Sequence, residues 1–420
     1  MKAFKFDLAV LGLGYVGLPL AIEATNANLK VMGYDVNSKL IENLNIAQSH
    51  VEDISNQEVK KAIEAGLHFS TNSELLSECK HLVISVPTPL TDYQPDLSYV
   101  ENASKDIASN LQSEQIVILE STTYPGTTLE VVKPILESIS GLEAGKDFML
   151  GYSPERIDPG NQTWNFKNTP KIVSGINEES TTAISLFYKS IIDEVIEVSG
   201  TREAEMVKLL ENTYRQVNIA LVNELAILCK MLDIDIWEVV DAAKTKPFGF
   251  QSFRPGPGVG GHCIPIDPKY LSFKTRQIGH PVRFVELAQE INNSMPYYVV
   301  SRITEIMNKN AILMKSSRIL LLGVAYKKDI GDTRESPALD IIEELLTKEV
   351  SVSFYDPFVD SLNVNGNNIK KEDEFNNLQN YDLILIHTPH TKFNNIEFDK
   401  IKTLIFDTTG SFNSKNIEKI

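Results

Sequence analysis

The sequence predicts an α/β protein in which two doubly wound parallel-sheet domains are joined by a long helical region. Three observations carry that expectation. A short apolar run, Phe6 to Leu11, ends in a glycine-rich turn and is followed by helical pattern. From Arg202 to about Leu232 the helical pattern is unbroken by Pro or Gly. At Ser317 the chain begins again with a second buried-strand pattern, Arg318 to Gly323.

Taken in order, the first strand meets the turn Gly12-Leu-Gly-Tyr-Val-Gly17, and a helix-like segment then runs to about Asn26. A second apolar strand spans Lys30 to Tyr34. His81 to Val86 and Gln115 to Leu119 are further buried strands separated by helical pattern, the alternation of a parallel sheet. Residues 1–200 thus form the first domain. In the helix that follows, Met206, Leu209, Leu210, Val217, Leu221 and Leu225 recur at helical spacings, as in a connecting or oligomerising spine. A stretch dense in Pro and Gly, 247–268, interrupts this central region (201–312), and helical pattern resumes from about Arg283 to Ala311. The third region, 313–420, adds a helix after Pro337, a strand from Val350 to Tyr355 ending at Asp356, and strands Leu383 to His387 and Thr403 to Phe406.

Composition narrows the function. Of 420 residues, 40 are Lys or Arg and 56 are Asp or Glu, and the net charge of −16 disfavours nucleic-acid and anionic-membrane partners. An anionic ligand must therefore meet local positive groups. No apolar run approaches the roughly 18–20 residues of a membrane span, and no signal-peptide pattern opens the chain, so a cytoplasmic protein is expected. Cys79, Cys229 and Cys263 lie far apart without CxxC spacing, which argues against disulfides and against a metal site.

The first turn has the spacing of a dinucleotide site. Gly12 permits the bend, Gly14 lets a pyrophosphate approach the backbone, and Gly17 lets helix pack on strand, with Tyr15 and Val16 inside the turn. Asp35 ends the next strand, where a carboxylate accepts the adenosine ribose hydroxyls and repels a 2′-phosphate. Strand, triplet, helix and acid together specify a Rossmann-type fold and favour NAD over NADP. The turn at Gly323 lacks the triplet and leads into Tyr326-Lys-Lys-Asp329, so the last domain is expected to bind something other than a second dinucleotide.

The segment from Arg254 to Pro268 holds four glycines and four prolines in fifteen residues and is read as a fixed irregular loop around Cys263. A lone cysteine is usually buried and inert. Here Gly258, Gly260 and Gly261 leave room for a ligand, and Asp267 could orient water or take a proton. His262, adjacent in sequence, is not counted as catalytic. A thiolate beside NAD has a defined use. An alcohol oxidised to an aldehyde offers no alkoxide for a second hydride loss; addition of Cys263 restores a tetrahedral centre, whose oxidation gives a thioester that water cleaves to the acid. The oxyanions need a cation and an amide, and Lys208 and Asn212 share one helix face at i, i+4.

These residues together resemble the UDP-glucose/UDP-N-acetyl-hexosamine 6-dehydrogenase family over essentially the whole chain. The matching stretches are Gly12–Pro19, Val86–Pro89, Glu120–Gly126, Ser153–Arg156, Glu211–Arg215, Gly260–Asp267 and Lys327–Ser336. The resemblance implies an NAD domain, a central dimer-forming region and a C-terminal UDP-sugar domain in a homodimer or higher homo-oligomer. It implies Cys263 as nucleophile, Lys208 and Asn212 at the oxyanion, Thr122 and Asp267 in water and proton handling, and Glu155 in thioester hydrolysis. It further implies NAD contacts from Thr88, Thr122 and Arg334. Substrate contacts would come from Glu155, Arg156, Lys208, Asn212, Arg215, Arg254, Gly258, Gly260 and Lys327.

Departures from the glucose-specific pattern point to the sugar. Arg156-Ile-Asp-Pro-Gly160 replaces a Phe-Leu pair and a second Glu, and Gly-His-Cys replaces Gly-Ser-Cys, as in the N-acetylhexosamine branch. UDP-N-acetylglucosamine ranks first, the galacto and manno epimers next, and glucose last. Two other readings differ in chemistry: a two-electron dehydrogenase with a structural Cys263, and a non-catalytic NAD or nucleotide sensor on the same fold.

Overall fold

A computed structural model describes residues 4–51, 54–91, 94–157, 161, 163–261, 264–373 and 378–420. The chain divides into two compact units. Unit 1 comprises Met1–Glu211 and Lys269–His280, and unit 2 comprises Asn212–Pro268 and Pro281–Ile420.

In unit 1 the strands are β1 (Phe6–Leu11), β2 (Val31–Tyr34), β3 (His68–Ser70), β4 (Cys79–Ile84), the short hairpin β5 (Leu90–Thr91) and β6 (Gln94–Pro95), β7 (Ile116–Leu119), β8 (Met149–Tyr152), β9 (Lys171–Gly175) and β10 (Val195–Glu197). Its helices are α1 (Gly17–Asn26), α2 (Ser38–Asn45), α3 (Asn56–Glu64), α4 (Ser98–Asn110), α5 (Lys133–Ser140) and α6 (Glu178–Lys189). Eight strands form one sheet in the order β10-β9-β8-β7-β4-β1-β2-β3, parallel except where β8 meets β9. β1, β4 and β7 read as near-continuous apolar runs because helices cover both faces of the sheet, where two separate cores form. The strand order reverses between β1 and β4, and a crevice at the carboxyl ends of the strands is the usual ligand position in such a sheet.

The long helix α7 spans Thr201–Met231, and the division between the units falls within it, after Glu211. Unit 2 continues with α8 (Ile236–Lys244). A further helix, α9 (Asp267–Gln277), most of it in unit 1, begins at the end of the irregular loop and covers residues to which the sequence assigns no element. Pro268 is the reason it was hidden: proline reads as a breaker, yet in a helix's first turn its missing N–H is no loss.

After α10 (Arg283–Lys309), the second sheet contains β11 (Arg318–Leu322), β12 (Ser351–Tyr355), β13 (Leu362–Val364), β14 (Asn367–Lys371), β15 (Leu383–Ile386), β16 (Leu404–Asp407) and β17 (Ile417–Lys419), with α11 (Pro337–Thr347) after the first strand. Their order is β13-β14-β12-β11-β15-β16-β17, parallel apart from the β13–β14 hairpin. Ser336 caps α11 through its side chain and Pro337 occupies the first helical position. Both faces of this sheet are again apolar. Two sheet domains and a long helix match the expected class.

Candidate functional site

The loops that leave the carboxyl ends of β1, β2, β4, β7 and β8 carry the unit 1 residues singled out from sequence, except Lys208, which stands on α7. Gly12 has φ +89°, and a Cβ there would sit 2.7 Å from the Ser85 carbonyl oxygen. At Gly17 a Cβ would strike the Gly12 carbonyl oxygen, so the helix can start here only on glycine. Gly14 is different, because a Cβ there would meet nothing within 4 Å. That open backbone lies beside the start of α1, where no side chain caps the first amides. Donors and dipole are thus left to an anionic group. Asp35 accepts from the Leu13 amide (3.0 Å) and the Asn37 amide (2.9 Å) and remains partly exposed. Tyr15 is exposed and Val16 half-buried. The residues of this turn fit NAD, which accepts hydride when bound.

Sequence reading missed His50, which hydrogen-bonds the Leu13 backbone near Asp35 and whose pKa burial lowers. Thr88 is half-buried, and its carbonyl accepts from Tyr270 Oη (2.8 Å), a residue of the unforeseen α9. Thr122 is half-buried in the loop after β7. That loop is anchored by Glu205, another residue missed from sequence. Its carboxylate accepts from the Gly126 amide (2.6 Å), the Thr128 amide (2.9 Å) and Thr128 Oγ1 (2.7 Å).

Glu155 is turned into its own loop. Its Oε1 accepts from the Arg156 and Ile157 amides, and Oε2 lies 3.6 Å from Lys171 Nζ. Lys171 also pairs with the fully buried Glu120 at 2.8 Å, and Tyr188 Oη donates to Glu120. Burial raises the Glu120 pKa. The main-chain carbonyl of Glu155, in turn, accepts from Lys208 Nζ at 2.5 Å. Arg156 donates to the Pro170 carbonyl and to Glu211 Oε1 (2.7 Å), so its guanidinium is held within unit 1.

In unit 2, Asn212 Nδ2 donates to Asp267 Oδ2 at 2.5 Å, and both residues are buried. The helix start at Asp267 and the α7 side chain are thereby fixed on each other. Cys263 and His262 lie outside the described residues. The glycine arm before them is packed by the protein itself. Cβ atoms at Gly260 and Gly261 would each come within 2.7 Å of Tyr326, and one at Gly260 equally close to the Glu335 carbonyl oxygen. A Cβ at Gly258 would touch Pro337. These glycines allow loop to meet loop. Arg254 pairs with Asp241 (2.6 Å) over the Trp237 ring, and Arg215 is exposed. Lys327 is half-buried, and the exposed Arg334 is engaged by Asp332 through two hydrogen bonds.

Among the described residues no group of three or more His, Cys, Asp or Glu could hold a metal ion. Nor is any helix among them long and apolar enough to cross a membrane.

Comparison with known proteins agrees with this layout. Residues 6–192 match the NAD binding domain of the UDP-glucose/GDP-mannose dehydrogenase family, 202–294 its central domain and 320–418 its UDP binding domain. A UDP-N-acetyl-D-glucosamine 6-dehydrogenase from Pseudomonas aeruginosa is 38% identical over 96% of this chain and 94% of its own. The solved structure of a UDP-D-ManNAc dehydrogenase from Pyrococcus horikoshii superposes with a TM-score of 0.90 at 32% identity, covering 99% of each chain. That of an NDP-N-acetyl-D-galactosaminuronic acid dehydrogenase from Methanosarcina mazei gives 0.84 at 29%, covering 99% of this chain and 94% of that one. The chain belongs to the UDP-glucose/GDP-mannose dehydrogenase family and is an NAD-dependent oxidoreductase of nucleotide sugars.

Proposed function

We propose that the enzyme oxidises the C6 hydroxyl of UDP-N-acetyl-D-glucosamine to the uronate in the cytoplasm, for surface polysaccharide synthesis. The first oxidation moves a hydride from C6 to NAD and releases the hydroxyl proton, leaving an aldehyde. The Cys263 thiolate adds to that carbon, and loss of a second hydride to another NAD converts the thiohemiacetal to a thioester. Water then cleaves the thioester, giving the carboxylate and restoring the thiol.

Lys208 and Asn212 stabilise the successive oxyanions, and Asp267 with Thr122 handles water and protons. The Asn212–Asp267 hydrogen bond is the observation that carries this assignment, since it fixes an amide and a carboxylate four residues beyond the nucleophile in sequence. Glu155 supports thioester hydrolysis through its loop: with both carboxylate oxygens engaged, its carbonyl orients Lys208. Thr88, Arg334 and the Gly12–Gly17 turn hold NAD. Arg156, Arg215, Arg254, Gly258, Gly260 and Lys327 form the substrate side.

The choice of sugar is supported by the Gly-His-Cys and Arg156 departures and by the 38% identity to an enzyme named for that substrate. The manno epimer is the second reading, favoured by the fold match to the Pyrococcus enzyme. Tyr214, Leu221, Leu225 and Leu228 form an exposed apolar stripe on α7, which supports a homodimer burying that face.

The test is NADH release with UDP-glucose and the gluco, galacto and manno UDP-N-acetylhexosamines. The highest kcat/KM is expected with UDP-N-acetylglucosamine, at two NADH per sugar. A higher value with another epimer would overturn the sugar, and one NADH per sugar would overturn the thioester route.

A further inference from the structure

The turns after the first strand of each sheet can be compared residue by residue. In unit 1, β1 leads into Gly12, and the Leu13 amide donates to Asp35, the residue after β2. In unit 2, β11 leads into Gly323, and the Val324 amide donates at 2.8 Å to Oδ2 of Asp356, the residue after β12. The acid occupies the same place, yet its surroundings differ. Asp35 keeps exposed surface for a ribose, whereas Asp356 is fully buried. Its Oδ2 also takes the Ala325 amide and lies 3.0 Å from His390 Nε2, and its Oδ1 takes the Phe358 amide at 2.9 Å. A ribose hydroxyl would have to displace the histidine.

The other ring nitrogen of His390, Nδ1, accepts the Asp329 amide at 2.9 Å. A nitrogen that accepts an amide proton carries none of its own, so the neutral ring donates through Nε2 to Asp356. The ring is fully buried, with centroids 5.1 Å from Phe358 and 5.3 Å from Phe393. Asp329 has φ +61°, a conformation that needs support outside glycine, and its carboxylate accepts from both the amide and the hydroxyl of Thr391. Two residues earlier in the same loop stands Lys327.

We propose that His390 is a positioning residue for the nucleotide half of the substrate. It fills the place where an adenosine ribose would meet the acid of unit 2, and it holds the Asp329 amide so that the loop presents Lys327 to the diphosphate. The inference rests on the reading of Lys327 as a substrate contact. It explains why one fold, used twice in one chain, serves two nucleotides.

Steady-state kinetics of the full-length enzyme test it. In His390→Phe, KM for UDP-N-acetylglucosamine and the inhibition constant of UDP should rise about tenfold, while KM for NAD and kcat at saturating sugar stay within about twofold. His390→Gln, which can both accept and donate, should recover most of the loss. Unchanged sugar KM in His390→Phe, or equal loss for both substrates, overturns the proposal. Lys327→Ala separates the two readings: if it leaves sugar KM unchanged, the Lys327 assignment fails, and if it raises sugar KM while His390→Phe does not, only the present inference fails. Should His390→Phe not fold, nitrogen NMR of 15N-histidine wild-type enzyme decides instead. A bare Nδ1 and protonated Nε2 at His390 that respond to UDP but not to NAD are expected; a protonated Nδ1, or no response to UDP, overturns it.

Discussion

Glu205 and Glu155 are buried carboxylates put to the same work. Each has its carboxylate turned to protein donors, and each thereby fixes a loop that carries a proposed catalytic group. For Glu205 the balance of forces has a measurable consequence. Burial raises its pKa from 4.5 to about 7, although the Thr128 and Gly126 amides pull the other way. Between those two values the folded chain binds more protons at this site than the unfolded one, so stability falls as pH rises from 4.5 to 7. Glu205→Gln removes the titration. The stability of wild type relative to that variant should drop by about 3 kcal/mol from pH 4.5 to 7, read by denaturant unfolding of both proteins. A difference that does not change with pH would contradict the assignment.

At the scale of elements, α7 bears two kinds of residue. Lys208 and Asn212 are buried and hydrogen-bonded, while Tyr214, Leu221, Leu225 and Leu228 stay exposed at spacings of seven, four and three. Such a stripe is unfavourable in water unless something covers it. Light scattering of the wild type should give about twice the chain mass of 46.9 kDa, and Leu221→Asp with Leu225→Asp should give the single-chain mass. A wild type that runs at single-chain mass would contradict a dimer on this face.

Elements whose signal is local were legible from sequence. β7 is an uninterrupted apolar run, β1, β4 and β11 are broken only near their starts by Asp7, by Lys80 and His81, and by Arg318, and α7 has no breaker. The short strands β3, β9 and β10 and the helix α9 were not, because a strand of a few residues has no periodicity to detect and a proline in a first turn reads as a breaker. The same limit applies to the site. Gly12, Gly14 and Gly17 could be singled out because their spacing belongs to one turn, and Asp35 because it ends the next strand. Glu205, Lys171 and His390 could not, since each acts on residues distant in sequence, as Glu205 does on Thr128.

For the whole molecule, a net charge of −16 has to be reconciled with two anionic ligands. The structure answers locally in each unit. Unit 1 leaves the amides at the start of α1 without a side-chain cap, and unit 2 carries Lys327 on a loop braced from Asp356 through His390. The remaining requirement of the proposed reaction is a carrier that keeps the aldehyde bound between two hydride losses, and that role falls to Cys263. NADH formed per UDP-N-acetylglucosamine, compared between wild type and Cys263→Ser and paired with the mass of the quenched protein, tests this most directly. Two NADH per sugar in the wild type, and in the variant a halt after the first oxidation or a trapped ester of added sugar mass, is the predicted result. Two NADH per sugar at the wild-type rate from Cys263→Ser would contradict it.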